Sequence, residues 1–399
     1  LTLATGLTGA LLTGDLFNMY VFAELLVISG TVLTAVSDDR FGTEAAYKYF
    51  YISLLASFFM LLAIGSLYAA YGTLNMADLA LRIQEAGPTE PLLWPAIAFL
   101  LVTFMIKSAV FPFHFWQPDF HTAAPTAVSA MLSSVVVKLG VYGFLRMTTL
   151  LFVDQAAQIQ AILLVLGVTG VIFGGLSAIG THNVKRMLAY STLAQVGFIL
   201  VGIGWGTPLS ITAAIIFAFN HSVIKAAMLM LAGYIASHAP IKSAAFDIVT
   251  GAGSGLPAAG FLFFLGSLAL AGIPPTNGFV SKMTLFTSGI DAERFWSLLF
   301  IGVTSIFTLI YTIRAFQRIW WRQPEGIGNE DASASLSTGL GIGDEARAKA
   351  KGDRLLAPTL LVLLILILGI WADPLVSAAQ QTTAWLGDPA VYIQAVLGG

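Results

Sequence analysis

The sequence predicts an all-α integral membrane protein of about eleven transmembrane helices, and three observations carry that reading. Hydrophobic residues make up 57% of the 399-residue chain and charged residues only 10%, with a mean hydropathy of +0.85. A soluble domain carries roughly 25% charged residues. The apolar runs are continuous over about 20 residues, the length a helix needs to cross hydrocarbon. They do not alternate as barrel strands do, and lipid admits only helices and closed barrels. The loop cations also sort by side. Arg40, Lys48, Lys185, Arg186, Lys242 and seven more between Arg314 and Arg354 fall on one face, against Arg82, Arg146 and Arg294 on the other. The richer side is read as cytoplasmic, which leaves the C-terminal tail outside.

In chain order, residues 1–13 read as the end of a spanning helix, and Gly14-Asp15 as the turn after it. The chain opens inside an apolar helix with no basic segment and cleavage site, so an N-terminally truncated chain is expected rather than a signal peptide. A helix follows over 16–36, then a polar loop, SDDRFGTEA, and a helix over 47–71. Residues 72–91 read as a surface stretch. Two spans at 92–111 and 124–147 flank a polar, proline-punctuated connector, and further spans fall at 155–179, 184–204, 208–236, 256–286 and 295–321. A linker of Gly, Ser, Ala and mixed charge over 322–354 leads to a last span at 355–372 and an interfacial tail. Trp320 and Trp321 read as part of an interfacial belt.

Two spans are interrupted. Pro112 follows Lys107 by five residues, and Pro274-Pro275 precede Lys282 by seven. Proline removes a backbone donor and clashes with the preceding turn. Broken helices at corresponding places in two halves are the best sequence pointer to a transport site. Each break lies in the fourth span of a set of five, and an odd-length repeat comes out inverted in the membrane. The predicted domains are therefore a first five-helix repeat over 1–150, a second over 151–321, the cytoplasmic linker 322–354, and the last span with its tail over 355–399.

The chain has no cysteine, which excludes disulfides, thiolate metal sites and iron–sulfur ligation. No glycine-rich loop sits in a strand–turn–helix context, so no nucleotide cofactor is expected, and a net charge of −2 gives no sign of nucleic acid. Inside the spans the ionisable groups are few: Glu24, Lys107, Lys138, His221, Lys225 and Lys282. A charge in hydrocarbon costs several kcal/mol or more, on the order of 3 by insertion scales, so such residues face a protein interior or a wet cavity and mark ion paths. His221 and Lys225, four apart, share one helix face. Histidine suits a proton relay because its ordinary pKa lies near neutrality.

Each residue also has a plain structural reading. Glu24 or Lys107 pairs with a helix end, Lys138 and Lys225 snorkel to an interface, and His221 bonds a neighbouring carbonyl. Six ionisable groups in successive spans are harder to explain this way than any one of them. His114, Asp119 and His121 gather in the connector without metal-ligand spacing, so a capping or access role is expected of them and no metal site. Asp15 reads as a turn cap or as a cation contact, and Lys185 with Arg186 as topology signals.

The stretch FPFHFWQPDFHTAAPTAVSAMLSSVVVKLGVYGFLR resembles the signature of the antiporter-like membrane subunits shared by respiratory complex I and Mrp-type cation/proton antiporters. THNVKRMLAYSTLAQVGF, FNHSVIKAAMLMLAGYI and LAGIPPTNGFVSKMTLF match the family's later motifs, in order and over nearly the whole chain. The segments LTGDLFNMYVFAELLVISG and DPAVYIQAVLGG look most like the Mrp branch. The resemblance implies the fourth to fourteenth helices of a fourteen-helix fold. It also implies a hetero-oligomeric complex in a prokaryotic cell membrane and exchange of protons for Na+ or K+. By the same resemblance, Glu24 and Lys107 would be the coupling acid–base pair and Lys138 the link to a central axis. His221 and Lys225 would continue that axis, and Lys282 would be the terminal proton-exchanging lysine. A proton-pumping subunit of a quinone oxidoreductase or membrane-bound hydrogenase is the other expectation, with the same relay and a redox driving force.

Overall fold

A computed structural model describes residues 1–36, 39–239, 243–322 and 353–398; within them the chain is helix, turn and loop apart from two isolated bridges. Among the described residues, seven helices are long and apolar enough to cross a membrane: α2 (Leu16–Ala35), α3 (Arg40–Tyr71), the segment Thr126–Leu151, α9 (Ala156–Gly180), α10 (Val184–Trp205), α11 (Pro208–His238) and the segment Phe295–Trp321. Three shorter apolar helices join them: α1 (Thr2–Leu12), α5 (Leu93–Lys107) and α13 (Pro257–Ala271). The last candidate is a pair, α16 (Leu356–Ile370) and α17 (Asp373–Leu386), bent by 75° between its halves. These account for the eleven segments read from hydropathy.

Helix α10 is the axle. Its most apolar stretch is 94% buried, against 33% for α2 and 39% for α9, whose outer faces meet lipid. Glycines let α9 and α10 meet backbone to backbone: a methyl on Gly167 would fall 2.8 Å from the Gly197 carbonyl, and one on Gly174 2.6 Å from the Ala194 nitrogen. Close approach through small residues is how membrane helices gain contact where lipid supplies no hydrophobic drive between them.

Polar residues at the loop–helix junctions set the boundaries. Asp15 caps α2 by accepting from the Asn18 amide at 2.9 Å, and Asn183 caps α10 through Arg186 at 3.1 Å. Thr207 and Ser210 form a reciprocal capping box ahead of Pro208 at the start of α11. Asp39 accepts from the Gly42 amide at 2.6 Å and so starts the third span at Arg40, not at 47. The expected polar loop is largely helix, with Ala45, Ala46 and Tyr49 buried on its inner face. The surface stretch 72–91 contains an amphipathic helix, α4 (Met76–Ala86), whose Met76, Leu79 and Ile83 are buried.

Two backbone clips correspond between the halves. Asp15 bridges Asn75, with Leu16 N–H donating to the Leu74 carbonyl at 3.0 Å and Met76 N–H to that of Gly14 at 2.8 Å. Asn183 bridges Ala245, with Val184 donating to Ala244 and Phe246 to His182, both at 2.8 Å. Each clip ties the start of a set's second span to the segment after its third. Five apolar segments, from α2 to α9, separate the two clips along the chain.

The tail packs against the helices. Thr212 and Thr383 share a buried hydroxyl bond of 2.8 Å. From α18 (Pro389–Leu397), Tyr392 lies 4.7 Å from the Arg146 guanidinium, which also bonds Tyr142 at 2.7 Å. The linker reading falls on residues 323–352, and that of Lys242 on 240–242, both outside the described residues.

The second break is tightly packed. From α14 (Asn277–Asp291), Gly278 approaches α13 so closely that a methyl there would overlap the Ala269 carbonyl oxygen. A methyl on Gly369 of α16 would likewise overlap the Pro275 carbonyl. Gly278→Ala is therefore expected to destabilise by about 1–3 kcal/mol through overpacking. A lower thermal midpoint of the detergent-solubilised protein would show it, and an unchanged midpoint would contradict the close approach.

Candidate functional site

The first broken helix ends α5 at Lys107, and α6 (Trp116–Ala123) resumes after a turn that holds Pro112. Lys107 therefore stands at the C-terminal end of a half-helix, where the unpaired carbonyls favour a cation. Its ammonium is buried and lies 3.7 Å from the Glu24 carboxylate, too long for a hydrogen bond, and it has no other polar partner among the described residues. Glu24 keeps its second contact through α3: the Ser57 hydroxyl donates to Oε1. The pair thus places a carboxylate and an ammonium within ion-pair distance without a direct hydrogen bond.

Lys138 begins α8 (Lys138–Arg146) directly after a π turn, Leu132–Val136. Such turns are frequent at functional sites. Lys138 donates to the Ser133 carbonyl at 2.9 Å. The Ser133 hydroxyl meets that of Thr192 at 2.7 Å, and Thr192 donates to the Leu188 carbonyl at 3.1 Å. Lys225, fully buried on α11, donates to that same carbonyl at 2.8 Å. Two hydroxyls and two carbonyls thus lie between the two lysines beside α10, with Lys138 and Lys225 each ending on a carbonyl. Lys225 reaches no interface, so snorkelling does not describe it. Toward Lys107, Gly140 packs on Ser108, whose buried hydroxyl has no partner.

His221 is 2% exposed, and neither ring nitrogen has a protein partner. It lines an internal cavity of about 10 Å³ with Gln195, Ser281 and Lys282, about the room one water needs. Lys282 donates to the carbonyl of Ala271, the last residue of α13, at 2.8 Å, and lies 5.5 Å from the centre of the Phe198 ring. Gly272, at φ +79, makes way for it: a Cβ there would come 2.5 Å from the lysine Cδ. Pro274 and Pro275 lie in this break, between α13 and α14. In both broken helices a lysine ammonium sits at or binds the C-terminal end of the first half.

The connector group does not stay together. Asp119 joins a rim of ion pairs, 2.9 Å from Lys48 and 3.1 Å from Arg186, while Lys48 also meets Glu44 at 2.8 Å. His121 is buried and faces Ser129 at 3.0 Å, and His114 lies among Phe111, Phe173 and Tyr190. No group of three or more candidate ligands forms a metal site among the described residues. Arg186 and Lys185 do more than mark topology, since Lys185 is buried and donates to the Ala124 carbonyl at 3.3 Å. Trp320 is likewise engaged within the chain, donating to the Leu256 carbonyl at 3.3 Å, whereas Trp321 is exposed. Asp15 is the cap already described.

Sequence reasoning named the titratable groups and missed the uncharged ones that join them: Ser57, Ser133, Thr192, Gln195 and Ser281. Ser133, Thr192 and Gln195 lie in apolar runs, where a polar side chain must find a partner. That was the available signal.

Residues 13–308 match the family model described as NADH:quinone oxidoreductase/Mrp antiporter, transmembrane. The chain is 34% identical over 398 residues to a Na(+)/H(+) antiporter subunit of Bacillus subtilis (strain 168), covering 99% of this chain and 76% of that protein. It is 33% identical over 369 residues to an NADH-quinone oxidoreductase subunit of Desulforudis audaxviator, covering 92% and 70%. Among solved structures, a chain of the Mrp complex from Dietzia sp. DQ12-45-1b superposes with a TM-score of 0.85 at 27% identity, covering 100% of this chain and 79% of that one.

Proposed function

This chain belongs to the NADH:quinone oxidoreductase/Mrp antiporter transmembrane family, and from that premise we propose that it is the proton-conducting subunit of a multi-subunit monovalent cation/proton antiporter. Sodium is the exchanged cation in this reading, as in the name of the Bacillus subtilis relative, with potassium the other candidate. Glu24 and Lys107 exchange a proton as a pair. The proton moves from Lys138 toward Lys225 past the Ser133–Thr192 hydroxyl pair, and His221 hands it on to Lys282. The chain divides into two inverted five-helix repeats, 1–150 and 151–321, a division supported by the paired backbone clips and the paired breaks.

The row of polar groups between Lys138 and Lys225 supports this reading most directly. Two lysines merely tolerated in a membrane interior have no need of buried hydroxyls lined up between them. The test is sodium-induced dissipation of a pH gradient in everted vesicles holding the complete complex. Lys107→Ala is expected to bring the signal to the level of vesicles lacking the complex, and full antiport in that variant would sink the proposal.

Similarity to an NADH-quinone oxidoreductase subunit keeps a redox-driven pump as the second reading. Antiport sustained by an imposed gradient, with no electron donor supplied, separates the two. A redox pump would leave that gradient untouched when sodium is added.

A further inference from the structure

We infer that Asn220 and Asn277 are positioning residues: their side chains clamp α14 to α11 and so set the distance at which Lys282 faces His221. The inference rests on the reading of Lys282 as a proton-handling group. The Asn220 amide donates to the Asn277 carbonyl at 3.1 Å and to the Ser281 hydroxyl at 2.9 Å. In return, the Asn277 amide donates to Asn220 Oδ1 at 3.1 Å. Both asparagines are fully buried, and Ser281 is 2% exposed.

The placement gives the clamp its consequence. Asn220 immediately precedes His221, and Ser281 immediately precedes Lys282. Successive helical residues advance 1.5 Å, so fixing one fixes the next. The clamp also sits at the first turn of α14, next to the break, where the backbone has lost its helical bonds and needs another restraint. Gly278 bears on the Ala269 carbonyl, which stops α14 from sliding toward α13. Gly369 of α16 closes the far side against Pro275. The asparagines supply the remaining hold, along α11. General adhesion between helices needs one such bond. A reciprocal pair plus a third bond to the residue beside the lysine defines a register.

The experiment compares Asn220→Leu, Ser281→Ala and Lys282→Ala in the assembled complex, scoring antiport rate against pH together with the amount of complex in the membrane. His221 is the titratable side chain that shares the cavity with Lys282; α10 and α13 line it with Gln195, Ala269 and Leu270, and Phe198 of α10 faces the lysine. Asn220→Leu is expected to lower the rate about tenfold, since small misplacements of reacting groups cost factors of ten to a hundred. The pH of half-maximal rate should also be displaced. Ser281→Ala removes a single hydroxyl and keeps the test open if Asn220→Leu does not assemble; its displacement is smaller and of the same sign. A rate that falls equally at every pH, or does not fall, overturns the clamp. Antiport retained by Lys282→Ala overturns the reading of Lys282 itself. Antiport lost in Lys282→Ala with a wild-type profile in the other two variants overturns the positioning role alone.

Discussion

Lys225→Met is expected to abolish antiport while the complex still assembles. Lys225 is fully buried, and its ammonium has one bond, to the Leu188 carbonyl. Methionine has nearly the same length and fills irregular space without strain. The carbonyl that loses the lysine keeps Thr192 as its donor, so no buried acceptor is orphaned. Replacing a buried charged group by an apolar one of similar volume is often neutral or stabilising. The fold therefore tolerates the change. The proton route does not, because the variant asks a proton to cross a gap in low-dielectric surroundings with no site to stop at. Placing an uncompensated charge at bilayer centre costs about 3 kcal/mol even on the lenient insertion scales. At 1.36 kcal/mol per tenfold in rate, that is a loss of at least about a hundredfold. Sodium-dependent pH recovery in everted vesicles measures it, with membrane abundance of the complex as the control. Antiport above about a tenth of wild type, at equal abundance, would remove Lys225 from the path.

How much of this could be read from residues alone differs between the fold and the site. The spans were legible because hydropathy is additive along a helix and the bilayer fixes its length. The third helix started early because a single carboxylate, Asp39, caps it, and a cap weighs little in a hydropathy average. Helix α4 was hidden for a similar reason: its buried residues occur every three or four positions, so its mean hydropathy is low. At the site, charges announce themselves by their cost, which is why Lys107 and Lys282 stood out. Ser133 and Thr192 cost little in a helix, because a hydroxyl can satisfy itself on the carbonyl four residues back, as Thr192 does on Leu188. Their meaning comes from the π turn Leu132–Val136 reaching α10 through Ser133, a tertiary fact. The connector failed in the opposite direction: His114, Asp119 and His121 are neighbours in sequence, but the turn before α6 and the helix itself aim them at an aromatic surround, an ion-pair rim and a buried serine.

The pair Glu24 and Lys107 should separate stability from transport in a double-mutant cycle. Glu24→Gln leaves the Lys107 ammonium buried with no counter-charge, since the carboxylate at 3.7 Å is its sole polar contact among the described residues. Breaking a buried pair from one side costs about 3–5 kcal/mol when both members are dry. The Glu24 side chain is 24% exposed against 8% for Lys107, so the lower end of that range, about 3 kcal/mol, is the expected loss. Lys107→Met is the gentler change for the fold, because Glu24 keeps the Ser57 hydroxyl and some access to water. Combining the two removes both charges and should recover most of the stability lost in Glu24→Gln alone. Transport follows a different rule: each single variant deletes one proton site, and the double variant deletes both, so antiport stays lost throughout. Thermal midpoints of the solubilised complex give the first half of the cycle and everted-vesicle antiport the second. If the double variant regains antiport along with stability, the two residues form a structural brace and the proton passes elsewhere. If the stability losses simply add, the carboxylate and the ammonium do not sense each other across 3.7 Å, and their exchange of a proton falls with them.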